Sequence, residues 1–222
     1  KCNIARFHHC PPQGVMVTNG STEAFYFLAQ LFAGCRSSIF TPSFAEYEDA
    51  CLAYGHDVSF VSNQDIHPKQ IFDSDMVWLG NPNNPDGKVV DCEVIKSWCE
   101  CNPGTVLVVD EAYAQCCRGF HSARLLLDTC PNLILVQSLT KSFSIPGIRL
   151  GYILGNASLV QKIVKIPWRI NSLALAVGNY IVENHEALTT FIEPIISTSL
   201  QLQKQLEAID ELTIYPSACN FF

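Results

Sequence analysis

Short apolar runs alternate along the chain with longer stretches whose apolar positions recur at helical spacing. Ser38–Phe40, Val58–Val61, Met76–Leu79, Val106–Val109, Leu133–Val136 and Tyr152–Leu154 are dominated by Val, Ile and Leu and show no sustained polar alternation. Strands read this way when helices cover both faces of their sheet, because neither face meets water. Between them, Thr22–Phe32, Ala45–Ala53, Glu93–Glu100 and Leu159–Lys165 read as amphipathic helices. The repeated strand–helix–strand order predicts an α/β fold with a mostly parallel sheet flanked by helices and right-handed crossovers. Ala174–Leu206 keeps a helical period, with Pro194 marking a kink or a break between two helices, and Thr213–Tyr215 and Ala218–Phe222 read as strands.

Composition narrows the class. The chain has 222 residues, 48% apolar and 16% charged, enough apolar surface to offset the entropy of ordering and therefore to exclude disorder. Lys plus Arg number 14 and Asp plus Glu 21, so the net charge is 14 − 21 = −7, which argues against nucleic acid or an anionic membrane as a partner. No apolar run reaches the length of about 18 residues needed to span a bilayer. Eleven cysteines, an odd number in a core-rich chain without a leader peptide, fit reduced thiols and a cytoplasmic location better than a disulfide framework. No metal site is expected, since Cys99/Cys101 and Cys116/Cys117 lack the C-x-x-C spacing and His8, His9 and Cys10 are adjacent. The start at Lys1 and the apolar end at Phe222 suggest a piece of a longer protein.

In open α/β sheets ligands bind beyond the carboxyl ends of the strands, so the polar residues that follow each apolar run are the candidates. Val17–Glu23 is a glycine turn opening a helix, whose free N–H groups at Gly20, Ser21 and Thr22 suit a phosphate, although a plain turn with an N-cap reads the same. Asn81–Gly87 carries two prolines that stiffen a loop presenting Asn84. Asp110 ends a buried strand, where its carboxylate needs a partner, and Tyr113 follows three residues later. Ser138–Tyr152 places Lys141 just after a strand, in a stretch apolar apart from hydroxyls, where partial desolvation is expected to lower its pKa. Arg149 follows eight residues later, so that Ser138 and Arg149 can both serve an anion beside one amine.

Thr18–Glu23, Asn81–Gly87, Asp110–Tyr113 and Ser138–Tyr152, in this order and spacing, resemble the fold-type I pyridoxal-phosphate enzymes of the aspartate aminotransferase superfamily. Within it the chain is similar to the branch of histidinol-phosphate aminotransferase and threonine-phosphate decarboxylase. Thr41–Glu48, Ser138–Tyr152 and Pro167–Ala174 lean towards the decarboxylase.

The resemblance implies pyridoxal 5'-phosphate as cofactor and a role for each matching residue. Lys141 would form the Schiff base with the cofactor aldehyde and then act as general base and acid. Asp110 would pair with the pyridine nitrogen, Asn84 and Tyr113 would bond the phenolic oxygen, and Phe44 would stack on the ring. Gly20, Ser21, Thr22, Ser138, Thr140 and Arg149 would hold the phosphate. The family's usual Asn-Pro-Thr-Gly is here Asn84-Pro85-Asp86-Gly87, which leaves open whether Asp86 faces the cofactor or solvent.

On this resemblance residues 1–210 form the cofactor-binding large domain without its N-terminal segment, and 211–222 begin a small domain that supplies the arginine clamping the substrate carboxylate. The family also implies an amino-acid substrate and a homodimer. Three readings follow: a threonine-phosphate decarboxylase-like enzyme, a histidinol-phosphate or other amino-acid aminotransferase, and a cofactor-sensing effector domain of a transcription regulator. A nucleotide-binding domain is disfavoured, because neither G-x-G-x-x-G nor G-x-x-x-x-G-K-[ST] follows any strand.

Overall fold

A computed structural model describes residues 1–164 and 166–222. Its seven strands are β1 (Val15–Thr18), β2 (Arg36–Thr41), β3 (Asp57–Ser62), β4 (Met76–Gly80), β5 (Val106–Asp110), β6 (Leu133–Ser138) and β7 (Gly151–Gly155). They form one sheet in the order β1-β7-β6-β5-β4-β2-β3. Helices α1 (Cys2–Phe7), α2 (Ser21–Leu31), α3 (Glu46–Ala53), α4 (Cys92–Cys101), α5 (Leu139–Ser142) and α6 (Ala157–Val160) are interleaved with the strands. Helices α7 (Ser172–Glu183), α8 (His185–Leu188) and α9 (Ile192–Leu206) follow.

The absence of polar alternation has a direct cause in the packing. Met76, Trp78, Val106, Val108, Ile134, Val136 and Ile153 join one buried cluster with α2 and α3. Their strand neighbours Val77, Leu79, Leu107, Val109, Leu133, Leu135, Tyr152 and Leu154 join another, with Ile95 and Trp98 of α4 and Ala174 and Ile181 of α7. Successive side chains point to opposite faces of a strand, and here both faces are dry.

Strands β2 to β6 pair in parallel, whereas β7 runs antiparallel to both of its neighbours. The expected strands and helices from Thr22 to Leu154 are present, with ends displaced by one or two residues. The strand β1 was not anticipated from the sequence, because its four residues abut the glycine turn and read as part of it.

Three further expectations are corrected. The helix expected over Leu159–Lys165 is the short α6, and Lys165 lies outside the described residues. The break in the C-terminal helical region falls between Glu183 and Ile192 instead of at Pro194. Pro194 sits in the first turn of α9, where its missing N–H has no helical acceptor to lose. Thr213–Tyr215 and Ala218–Phe222 are not strands: the latter makes a single antiparallel bridge, Cys219 to Cys117.

All eleven cysteines are free thiols. No helix among the described residues is long and apolar enough to cross a membrane, and no group of three or more metal-ligating side chains is found among them.

Candidate active site

The register of the sheet brings the polar residues to one edge. Gly80 stands opposite Asp110 and Asp110 opposite Val136, so β4, β5 and β6 end together. Thr18 and Ser138 both stand opposite Gly151, which adds the end of β1 and the start of β7 to the same edge. The connection from β6 to β7 leaves and re-enters the sheet there, which is why β7 is antiparallel. A crossover to a parallel strand would have carried Arg149 to the far edge.

At this edge lies an open cleft lined by Asp110, Tyr113 and Lys141 together with Ser21, Thr22 and Arg149. Phe44, Asn84 and Thr140 complete the set of sequence candidates in its wall. Asp110 is buried, its Oδ2 accepting from the Tyr47 hydroxyl at 2.8 Å and its Oδ1 from the Ala112 N–H at 3.0 Å. Burial raises the Asp110 carboxyl to about 6, against the opposing pull of these two bonds and of the Lys141 charge. Tyr47 is pushed well above the ordinary phenol range, by burial first and then by Asp110.

The expectation of a partly desolvated Lys141 is not met. The residue is exposed, on a one-turn helix where the cleft opens to solvent, with its Nζ 5.7 Å from the centroid of the Tyr113 ring.

The part of the wall formed by Ser21, Thr22 and Arg149 is built to receive an anion. Helix α2 begins at Gly20 with no side-chain cap, so the first-turn N–H groups at Ser21 and Thr22 lie at the cleft. Gly20 has φ +82° and ψ 170°, a conformation essentially reserved for glycine. A Cβ there would lie 2.5 Å from Arg149 Nη2, so the missing side chain also lets the guanidinium close in. A Cβ on Gly151 would lie 2.8 Å from Ser21 N and 2.7 Å from Gln137 O, so this residue lets the start of α2 pack directly on the sheet. The Ser138 and Thr140 hydroxyls share a hydrogen bond at 2.8 Å, and Ser138 Oγ caps α5 by accepting from the Thr140 N–H. Gly20 and Ser138 thus shape the site from behind its lining. A partly buried ion pair, Arg169 Nη1 to Glu23 Oε2 at 2.9 Å, fixes the first turn of α2, and Arg169 Nη2 also donates to Val17 O at 2.6 Å.

Asp86, left open by the sequence, accepts from Asn83 Nδ2 at 2.7 Å and from the Lys88 N–H at 3.1 Å. It closes its own turn and does not line the cleft.

The sequence model of the family "Aminotransferase class I and II" matches residues 1–222. The chain belongs to this family. A putative threonine-phosphate decarboxylase of Caldanaerobacter subterraneus subsp. tengcongensis is 30% identical over 98% of the chain and 64% of its own length. A histidinol-phosphate aminotransferase of the same organism is 30% identical over 98% of the chain and 65% of its own length. The chain therefore spans just under two thirds of these relatives. Among solved structures, L-threonine-O-3-phosphate decarboxylase from Porphyromonas gingivalis superimposes with a TM-score of 0.93 at 32% identity, over 98% of this chain and 71% of that one. Histidinol-phosphate aminotransferase from Sinorhizobium meliloti, solved with pyridoxal-5'-phosphate, shares the fold with a TM-score of 0.85 at 21% identity, over 98% and 63%.

Sequence reasoning missed several residues of this cleft. Tyr47 carries the one signal that could have found it, since Phe44 and Tyr47 stand three residues apart at the start of a helix that follows a strand. Both line the cleft, 6.0 Å apart and edge to face. Pro82 and Ala112 contribute wall surface with no sequence signature beyond adjacency to Asn84 and Asp110.

Proposed function

We propose that the cleft holds pyridoxal 5'-phosphate and that the protein acts on an amino-acid phosphate, as a decarboxylase of the threonine-phosphate type. The observation that carries this reading is one cleft with an amine (Lys141), a buried carboxyl (Asp110), and an uncapped helix terminus beside a guanidinium (Arg149). The donor set fits the cofactor. A dianionic phosphate finds the N–H groups of Ser21 and Thr22, the Thr140 hydroxyl and Arg149, while Gly20 and Ser138 give it room and support. Asp110 suits a protonated ring nitrogen, because a cation beside a buried carboxyl favours the carboxylate. Asn84 and Tyr113 suit the phenolic oxygen, and Phe44 offers an apolar face to the ring.

When bound, the cofactor supplies an aldehyde carbon and an electron-withdrawing ring. Lys141 Nζ, in the wall of the cleft, would be the amine that holds that carbon and the group that takes and returns a proton. Tyr47, itself in the cleft wall, holds Asp110 in place through its 2.8 Å bond.

The decarboxylase reading rests on the 32% identity and 0.93 TM-score to the threonine-phosphate enzyme. An aminotransferase is the second reading, supported by the histidinol-phosphate relative at equal identity to the first curated one. The named relatives are catalysts, which favours an enzyme over a regulator's sensing domain. We further propose that residues 1–210 are the cofactor-binding unit and 211–222 the beginning of another, in keeping with the share of its relatives that the chain spans. A homodimer is supported by exposed apolar side chains before and along α7, where Trp168, Leu173 and Tyr180 stand at 98%, 64% and 60% exposure.

Titration with pyridoxal phosphate, followed by visible absorbance, borohydride reduction and peptide mapping, tests the cofactor reading. A stable adduct on Lys141, absent from Lys141→Ala, is expected; adducts scattered over surface lysines would overturn it. On the full-length protein, release of carbon dioxide from threonine phosphate is expected. Nitrogen transfer to 2-oxoglutarate without that release would favour the aminotransferase.

A further inference from the structure

Outside the cleft, two cysteines from distant parts of the chain face one another. Cys117 follows the turn that carries Tyr113, and Cys219 lies in the segment after α9. They form an antiparallel bridge in which the Arg118 N–H donates to Ala218 O and the Asn220 N–H to Cys116 O, both at 3.1 Å. Those two bonds flank the pair, so Cys117 and Cys219 occupy a non-hydrogen-bonded position. At such a position the Cα atoms are about 4.5 Å apart and both side chains project to the same side. A disulfide accepts Cα separations of about 4.4 to 6.8 Å, so the bridge already has the backbone geometry of one. We propose that Cys117 and Cys219 are a redox-active thiol pair, oxidised to a cross-strand disulfide by a low-molecular-weight disulfide such as oxidised glutathione.

The chemistry is asymmetric in the right sense. The Cys219 thiol bonds to Cys117 and pulls it below the ordinary thiol range, while Cys219 itself is held up by that bond and by burial. Cys117 is therefore the attacking thiolate. It attacks one sulfur of oxidised glutathione, breaking that S–S bond and expelling a glutathione thiolate. The Cys219 thiol then loses its proton and attacks the Cys117 sulfur of the mixed disulfide, expelling the second glutathione. Two protein thiols and one glutathione disulfide become one protein disulfide and two glutathione thiols.

Both cysteines are buried, at 7% and 1% exposure, so the first attack requires the segment carrying Cys219 to lift. Its neighbours are only partly buried, and the two backbone bonds above hold it at the bridge. Once formed, the disulfide ties this segment down covalently. Phe221 packs edge to face on Tyr113 with ring centroids 4.7 Å apart, and Ser217 packs against Gly87 in the loop that carries Asn84. The bond would thus fix two walls of the cleft from outside it. This inference stands on the bridge geometry and does not depend on the cofactor reading.

The test is limited oxidation of the purified protein by oxidised glutathione, then alkylation and non-reducing peptide mapping by mass spectrometry. The first linked species is expected to join the Cys117 and Cys219 peptides with loss of two hydrogens, reversibly with dithiothreitol. Cys219→Ser is expected to stop at a glutathione adduct on Cys117, and Cys116→Ser to leave the linkage intact. First linkage at another pair, such as Cys99 with Cys130, or adducts confined to exposed Cys2 and Cys101, would overturn the proposal. Mapping of the unsubstituted protein decides this even if a variant does not fold.

Discussion

The Tyr47 hydroxyl donates to Asp110 Oδ2 at 2.8 Å, joining the first turn of α3 to the end of β5 beneath the cleft. A hydrogen bond to a charged acceptor is worth about 1.5 to 3 kcal/mol, and this one opposes the rise of the Asp110 carboxyl caused by burial. In Tyr47→Phe the carboxyl should titrate above its present value of about 6. Pyridoxal-phosphate binding at pH 6.5 should weaken roughly tenfold, a change of about 1.4 kcal/mol, and recover as pH rises. An unchanged pH profile in an absorbance titration would show that the bond does not govern the carboxyl.

Glu111, beside Asp110, should make stability depend on pH. It is buried, accepts from Ser122 Oγ at 2.6 Å, the Ala123 N–H at 2.8 Å and Gln137 Nε2 at 2.7 Å, and is still raised to about 7 by burial. A carboxyl with a raised folded-state pKa binds more protons folded than unfolded, so stability is lost as pH rises between the two values. The loss should run from about 4.5 to about 7 for Glu111 and from about 3.8 to about 6 for Asp110. Urea unfolding of the cofactor-free protein is expected to give greater stability at pH 5 than at pH 7.5, by on the order of 2 kcal/mol. Glu111→Gln should flatten the upper part of that slope, and an equally steep slope in this variant would count against the assignment.

The two glycines at the start of α2 should differ in what they tolerate. Gly20→Ala meets the movable end of Arg149 but forces a left-handed conformation, costing about 1 to 3 kcal/mol. Gly151→Ala meets only backbone, at 2.7 and 2.8 Å, which cannot step aside. Thermal unfolding should rank Gly151→Ala as the more damaging. Absorbance titration should show weaker cofactor binding in Gly20→Ala even where it folds.

Association is readable by light scattering. A dimer is expected, and charged residues at Leu173 and Tyr180 should shift it to monomer while leaving far-ultraviolet circular dichroism unchanged, since both side chains are exposed in the single chain. A monomer before substitution would remove the support that these residues lend to a homodimer.

The centre of the sheet was legible because β4, β5, β6 and β7 are buried on both faces, so their apolar runs stood out unbroken, whereas β3 lies at the edge with Phe60 exposed. The cleft residues were legible because strand ends at Asp110 and Ser138 are where a short polar stretch interrupts such a run. Tyr47 was not, because a buried tyrosine in a helix reads as core until its hydroxyl is seen to have a partner. The antiparallel course of β7 was hidden as well, since an apolar run carries no direction. The exposure of Lys141 depends on what roofs the connection after β6, which local sequence does not encode. The apparent strand at Ala218–Phe222 had the right residues but found backbone partners only at Cys116 and Arg118.

The connection from β6 to β7 begins and ends at one edge of the sheet, and both ends are pinned by pairing, Ser138 opposite Gly151. Its span therefore sets how far apart the amine of Lys141 and the guanidinium of Arg149 can stand, much as the arms of a caliper are set by its hinge. A residue inserted between Ser142 and Ile148 would leave every ladder bond of the sheet available and yet change that setting. The molecule can thus keep its sheet and lose its grip on a ligand through a single change of length, in a stretch whose apolar side chains Phe143, Ile145 and Ile148 are only partly buried against the core.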